Sequence, residues 1–281
     1  MHSVRIGFIG CGNMANSLIS GLVRGSFNLK DICVYDRNKD KLDAVKINYG
    51  ISTCDSLNTL VTKSDLLIIA IKPQGLGDLA KQIRSLIKFK NPVLISVCAG
   101  ITTRQLEIWF GKIVPIVRAM PNTPAIMQSG ATGIYANSQV ATQQKSIVEQ
   151  VFRTSGVAIW IDNEELMDII GAISGSGPAY FFLFMEILAD LGTSLGLKIN
   201  DAKLLAIQTA YGASRMALES ETPDLEGLRR NVTSKGGITD AAIMSFETSG
   251  IREIFKKAIL SNIQKGKELS SLFKDTPKLL D

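Results

Sequence analysis

Three clusters of residues in this chain have the types and spacing for chemistry on a bound dinucleotide. The first is Arg5-Ile6-Gly7-Phe8-Ile9-Gly10-Cys11-Gly12-Asn13-Met14-Ala15, a strand-like run, then G-x-G-x-x-A, then the opening of a helical pattern. Gly10 permits a tight strand-to-helix turn, Gly12 lets the backbone approach a pyrophosphate with no Cβ in the way, and Ala15 lets the helix pack close to the strand. The free N–H groups of the helix start would then face the phosphates. The second cluster is Asp36-Arg37-Asn38, which follows the apolar run Ile32–Tyr35. Asp36 lies where an acidic side chain accepts bonds from an adenosine ribose, whereas Arg37 can pair with a 2′-phosphate. These two residues pull in opposite directions, so NADH and NADPH both remain open. The third cluster is a pair of strand ends, Ala70-Ile71-Lys72-Pro73 and Val97-Cys98-Ala99, whose small residues leave room for a nicotinamide or its ribose. Lys72 can reach a phosphate or ribose hydroxyl, or its Lys-Pro pair can simply stop a strand.

Other chemistries are poorly supplied. The single histidine, His2, sits at the chain terminus, so a histidine acid of the lactate-dehydrogenase type is absent and most metal-hydrolase schemes fall with it. No metal site is expected. Of the four cysteines, Cys11, Cys33, Cys54 and Cys98, no two form a C-x-x-C pair, and buried reduced thiols are the expectation. The net charge is +5, with Lys and Arg scattered in short clusters that lack interleaved aromatics, so nucleic acid is not expected as a partner. The longest apolar run, Ala179–Leu197, carries Glu186 and Asp190 and reads as a buried core helix, not a membrane span. No secretory leader pattern opens the chain. A reducing, cytoplasmic location is therefore expected, with no membrane partner.

The elements that would position these clusters divide in two. Short apolar runs at Val4–Ile9, Ile32–Tyr35, Leu66–Ile71, Val93–Val97, Val114–Arg118, Thr132–Tyr135 and Val157–Ile161 alternate with helical patterns. They read as buried parallel strands of a doubly wound α/β sheet, a Rossmann domain over residues 1–162. From residue 163 to 281 only helices are expected: Glu164–Ala172, Ala179–Leu195, Asp201–Leu218, Asp224–Thr233, Thr239–Glu247 and Ile251–Leu272. Asn200 and Thr222-Pro223 look like helix starts, and Gly196 and Gly250 like stops. Several of these helices are apolar on more than one face, which a small helical domain cannot bury alone, so a second subunit is expected to cover them.

Five segments together resemble pyrroline-5-carboxylate reductases. They are Ile6–Met14, Ala70-Ile71-Lys72-Pro73-Gln74, Arg118-Ala119-Met120-Pro121-Asn122-Thr123-Pro124-Ala125, Ile173-Ser174-Gly175-Ser176-Gly177-Pro178-Ala179-Tyr180, and Asn231-Val232-Thr233-Ser234-Lys235-Gly236-Gly237-Ile238-Thr239. Their order and spacing extend the resemblance over essentially the whole chain, and the Met-Pro-Asn-Thr-Pro segment is the most specific. The resemblance implies hydride transfer from NADPH or NADH to the imine carbon of 1-pyrroline-5-carboxylate, giving L-proline. It also implies a homodimer, in a family that forms rings of dimers as well, with the substrate at the dimer interface. By the same resemblance the substrate carboxylate meets Gly236, Gly237, Ile238 and Thr239, the Thr239 hydroxyl bonds the carboxylate or the ring nitrogen as the candidate proton-relay residue, Ser234 belongs to the substrate site, and Asn231 and Glu164 face the substrate. The turn holding Asn122 would wall the nicotinamide pocket. Read without the family, Thr239 is a helix N-cap and Asn231 a helix-end polar group.

One departure stands out. The family usually has Ser-Pro-Gly-Gly-x-Thr where this chain has Ser234-Lys235-Gly236-Gly237-Ile238-Thr239, so a free φ replaces a fixed one. Two rival readings are weaker. A β-hydroxyacid dehydrogenase would need a lysine acid on the Gly171–Met185 helix, and there is none. A non-catalytic dinucleotide sensor would not need the Gly-Gly-x-Thr loop.

Overall fold

The computed structural model describes residues 4–220 and 224–272. His2, the expected helix start at Thr222-Pro223 and the tail from Phe273 to Asp281 lie outside the described residues.

Among the described residues eight strands form one sheet in the order β3-β2-β1-β4-β5-β6-β7-β8. The strands are β1 (Ile6–Ile9), β2 (Ile32–Tyr35), β3 (Ser52–Thr53), β4 (Leu66–Ile69), β5 (Val93–Ser96), β6 (Ile116–Met120), β7 (Gly130–Ala136) and β8 (Gly156–Trp160). Every residue of β1, β4 and β5 is buried. Both faces of these strands are covered, which is why they read as unbroken apolar runs. One core joins Phe8 to Leu18, Leu22 and Phe152; the other joins Leu67 to Leu60, Ile83 and Phe110. These residues come from α1 (Asn13–Arg24) and α6 (Thr142–Arg153) for the first core, and from α3 (Leu57–Lys63), α4 (Leu76–Lys90) and α5 (Thr103–Phe110) for the second. The remaining helix of this region, α2 (Lys39–Tyr49), follows β2. This is the doubly wound arrangement that the strand pattern predicts.

Four details differ from expectation. Strands β6 and β7 pair antiparallel, Val117 opposite Ala136 and Met120 opposite Gly133. Their connection is a short turn around Thr123–Met127, too short for the crossover that a parallel pair needs. Strand β8 is an edge strand, and its Val157 and Ile159 are exposed, not buried. The two-residue β3 carries no apolar run to announce it. Finally, Cys33 and Cys54 are joined by a disulfide with Cα atoms 6.5 Å apart, in place of two reduced thiols. The parallel pairing of β2 with β3 brings together cysteines separated by 21 positions, which linear spacing does not signal. Cys11 and Cys98 are free and buried, as expected.

The chain divides into two compact units, Met1–Ser176 with Asn262–Asp281, and Gly177–Ser261. The first unit therefore keeps α7 (Leu166–Ile170) and a π-helical turn at Gly171–Gly175 together with the sheet. The second unit holds α8 (Gly177–Ser194), α9 (Ile199–Leu218), α10 (Leu225–Asn231), α11 (Ile238–Thr248) and the first part of α12 (Ile251–Ser271). Helix α9 begins one residue before Asn200, with Lys198 as its cap, so Asn200 lies inside the first turn. Gly196 and Gly250 take positive φ and end their helices as expected.

Helix α8 departs from its reading as a buried core helix. Only Gly177 and Ala189 of it are buried within the chain, and Phe181 and Phe182 are 61% and 62% exposed. The five helices of this unit cannot cover so wide an apolar surface. The stretch Leu166–Ser194 is long and apolar enough to cross a membrane, yet Glu186 and Asp190 interrupt it.

Candidate active site

The phosphate loop is built by β1 and α1. Gly10 has φ of +104°, and a Cβ there would lie 2.5 Å from the Ala70 carbonyl oxygen, so the turn and the close approach of β4 both require glycine. Gly12 caps α1 in an extended conformation that any residue can adopt (φ −74°, ψ 179°). A Cβ on Gly12 would meet no atom within 4 Å. Within the chain itself, therefore, nothing excludes a side chain at residue 12, and the space beside it is open. No acidic residue lies in the first turn of α1 itself.

Asp36 ties this loop to β2. Its carboxylate accepts from the backbone N–H of Cys11 at 2.8 Å and from that of Asn38 at 2.8 Å. Asn38 in turn caps α2 by accepting from the N–H of Lys41 at 3.1 Å. Arg37 and Asn38 are exposed at this helix start. The thiol of Cys11 sits in the loop; burial first, and the charge of Asp36 second, push it up to about 12. Cys11 is therefore a protonated packing group.

The neighbouring strand ends are locked to each other. The Cys98 thiol donates to the carbonyl of Ile71 at 3.2 Å, linking the Val97-Cys98-Ala99 segment after β5 to Ala70-Ile71 after β4. Burial pushes this thiol up to about 11. Lys72 precedes Pro73 at the start of a 3-10 turn, so the Lys-Pro pair does end the strand region. Ile9, Gly10, Cys11, Gly12, Ala70, Ile71, Val97, Cys98 and Ala99 all line neighbouring strand ends of one sheet, at the carboxyl edge where doubly wound folds bind ligands.

Asn122 and Glu164 each have partners within the chain. The Asn122 amide donates to the Ser174 carbonyl at 3.0 Å and its oxygen accepts from Ala131 N–H at 2.9 Å. Asn122 is buried, and it staples the Pro-Asn-Thr-Pro turn to the π-helical turn. The Glu164 carboxylate accepts from the Thr103 N–H at 2.7 Å, from the Thr103 hydroxyl, and from Arg118 at 3.2 Å. Arg118 also approaches Asp168 at 3.6 Å and is only 3% exposed. Sequence reasoning passed over Arg118, Thr103 and Asp168. A cation inside the apolar run Ile116–Met120 is the signal that could have found the cluster.

In the second unit, Gly236 takes φ of +72° and Gly237 caps α11 with no side-chain cap. The two glycine N–H groups already have acceptors: that of Gly236 donates to Asp240 at 2.8 Å and that of Gly237 to the Ser234 carbonyl at 2.9 Å. The donors a ligand would meet are thus the first-turn N–H groups of Ile238 and Thr239, which have no acceptor within a helix. Thr239 stands inside that turn and not at the cap, and Thr239, Ser234 and Asn231 are exposed. An apolar cleft of about 210 Å³ near Thr132, Val157, Ile159 and Ile173 lacks this polar chemistry.

Comparison with known proteins agrees with these features. Residues 164–269 match the family described as pyrroline-5-carboxylate reductase dimerisation, and residues 5–100 match a family described as NADP oxidoreductase, coenzyme F420-dependent. The chain is 39% identical to the pyrroline-5-carboxylate reductase of Pseudomonas aeruginosa, over 96% of this chain and 98% of that one. It is 34% identical to the Escherichia coli enzyme of the same name, over 95% and 98%. Among solved structures, the pyrroline-5-carboxylate reductase of Coxiella burnetii superposes with a TM-score of 0.91 at 40% identity, covering 95% of this chain and 99% of that one. The Plasmodium falciparum pyrroline carboxylate reductase with NADP bound superposes at 0.84 and 30% identity, covering 96% and 99%. Full-length identity at this level, together with the Rossmann turn at Gly10 and a Gly-Gly-x-Thr helix start, places this chain in the pyrroline-5-carboxylate reductase family.

Proposed function

We propose that this chain reduces the imine of 1-pyrroline-5-carboxylate to L-proline with NADPH, as a soluble, cytoplasmic homodimer able to build into a ring of dimers. The observation that carries the reading is the open space beside Gly12 at the start of α1, in a chain of this family. When bound, the reduced nicotinamide supplies the hydride.

The residues that hold the cofactor are Gly10, Cys11, Gly12, Asn13 and Met14 at the pyrophosphate, and Ala70–Pro73 with Val97–Ala99 toward the nicotinamide. Asp36 already accepts the loop N–H of Cys11 and the N–H of Asn38. Arg37 and Asn38 stand exposed at the positive end of α2, an arrangement that suits a 2′-phosphate and favours NADPH over NADH.

On the substrate side, Ile238 and Thr239 donate backbone N–H groups to the carboxylate at the start of α11. The Thr239 hydroxyl bonds the carboxylate or the ring nitrogen. Ser234, Gly236, Gly237 and Asn231 shape the loop around it. An iminium nitrogen already carries the positive charge that hydride addition neutralises, so positioning supplies most of the acceleration and no histidine is required. The apolar surface of α8, including Phe181 and Phe182, is covered by the second copy of the chain.

The test is loss of reduced-nicotinamide absorbance with purified protein, 1-pyrroline-5-carboxylate and NADPH or NADH. Imine-dependent oxidation, faster with NADPH, is expected. Tight NADPH binding without turnover would overturn the reading in favour of a dinucleotide sensor.

A further inference from the structure

We infer that Arg118 is a positioning residue for hydride transfer, acting through Glu164 to hold the Thr103 end of α5 and, with it, the Val97–Ala99 strand end beside the nicotinamide. The inference rests on the cofactor placement proposed above.

The geometry forms one chain of contacts within the first unit. Arg118 projects from β6, is 3% exposed, and binds Glu164 at 3.2 Å and Asp168 at 3.6 Å. Glu164 passes the constraint on by accepting both the N–H and the hydroxyl of Thr103. Thr103 is the first residue of α5, and only the loop from Val97 to Thr102 separates it from β5. Gly100 in that loop has φ of +76°, and Thr102 closes a capping box with Gln105. The loop is thus fixed at its far end by its own cap and by Glu164. At its near end it is fixed by the Cys98 thiol on Ile71.

Why a buried arginine should stand here follows from the charges. Two carboxylates, Glu164 and Asp168, lie on the segment leading into and along α7. Close together and only partly exposed they repel each other, and the buried planar guanidinium of Arg118 offers separate N–H groups to both. Removing one partner of such a set leaves an uncompensated buried charge. Arg118 also precedes Asn122 by only four residues, and Asn122 holds the π-helical turn through Ser174. A π-helical turn recurs at functional sites because it re-aims the backbone. The same stretch of β6 and its following turn therefore secures both the nicotinamide loop and the segment Glu164–Ser174. An apolar residue at position 118 would fill the space in the sheet yet leave Glu164 and Asp168 without their cation.

Four variants decide the matter: Arg118→Met, Arg118→Lys, Glu164→Gln and Thr103→Val. For each, kcat and KM with 1-pyrroline-5-carboxylate are measured alongside the affinity for adenosine 2′,5′-bisphosphate, which probes the adenosine half alone, and the melting temperature. The wild-type rate is recorded first. A wild type that does not turn over the imine counts against the assigned reaction and is distinguishable from failure of the positioning role. We expect kcat to fall at least tenfold in Arg118→Met and Glu164→Gln, with bisphosphate affinity within twofold of wild type and a larger isotope effect with 4-deuterated NADPH. Arg118→Lys recovers part of the loss, because one N–H group still reaches Glu164. If Arg118→Met does not fold, Glu164→Gln and Thr103→Val carry the test. A kcat within twofold of wild type in folded Glu164→Gln and Thr103→Val overturns the inference. So does a parallel fall of kcat and bisphosphate affinity, which marks general loosening of the fold.

Discussion

The carboxylate of Asp36 accepts the backbone N–H of Cys11 at 2.8 Å, so the end of β2 and the phosphate loop after β1 form one rigid piece. An acidic residue at this point commonly serves the ribose hydroxyls of NADH. Here it is occupied with the loop and with Asn38, and Arg37 beside it is exposed. Replacing Arg37 by alanine should raise KM for NADPH on the order of tenfold, the scale of one lost charged hydrogen bond, and leave KM for NADH within about twofold. Steady-state kinetics with both cofactors checks this; an equal rise for both would move the 2′-phosphate contact elsewhere.

Gly12 and Gly10 separate ligand binding from folding. Gly12→Val places its side chain in open space on an unstrained backbone, so the melting temperature should move by no more than about 2 °C. NADPH affinity should fall on the order of a hundredfold, because the side chain occupies the pyrophosphate position. Gly10→Ala does the reverse: its Cβ meets the Ala70 carbonyl at a positive φ, a strain of about 1–3 kcal/mol. Titrating NADPH fluorescence and melting both variants discriminates the two effects.

Thr239 is exposed in the first turn of α11, and its hydroxyl has no structural duty in the cap, which Gly237 provides. Thr239→Val should therefore leave stability unchanged and lower kcat/KM for the imine by about tenfold to a hundredfold, the range of a hydrogen bond to a charged group. Unchanged kinetics would remove Thr239 from the substrate site.

Asp65 gives the first unit a pH dependence. Burial would raise its carboxyl, but hydrogen bonds from the side chain and backbone of Arg5 and from Lys90 outweigh that and hold it below the usual carboxylate range. Its folded value is depressed, so the stabilisation is complete above the unfolded value of about 4 and is lost as pH falls through the lower folded value. The melting temperature of Asp65→Asn should lie below wild type at neutral pH, and the gap should close as pH drops below about 4. Thermal melts at a series of pH values read this directly, and a gap that widens in acid would refute it.

Much of the fold was legible in the sequence because local rules suffice for it. Runs such as Leu66–Ile69 and Val93–Ser96 are apolar throughout because both faces of a parallel sheet are covered, and Gly196 and Gly250 end helices because their backbones need positive φ. The turn at Gly10 was readable for the same reason: its positive φ and the close approach of Ala70 are demands of the immediate backbone. Chain reversal was not, since nothing in Thr132–Tyr135 marks a strand as antiparallel; the short turn after Met120 decides it.

The residues by themselves pointed to a dinucleotide-dependent reduction that manages without a histidine acid, and the resemblance carried by five segments supplied the substrate and the carboxylate-binding role of the Gly-Gly-x-Thr loop. Only the tertiary structure decided which partners within the chain those residues meet. Asp36 faces Cys11, Asn122 is bound to Ser174 and Ala131, and Glu164 is bound to Thr103, 61 positions away. Cys33 meets Cys54 because two strands lie side by side. Contacts of this kind join residues far apart in the chain, and they depend on sheet order and on the path of the loops, which no local spacing encodes.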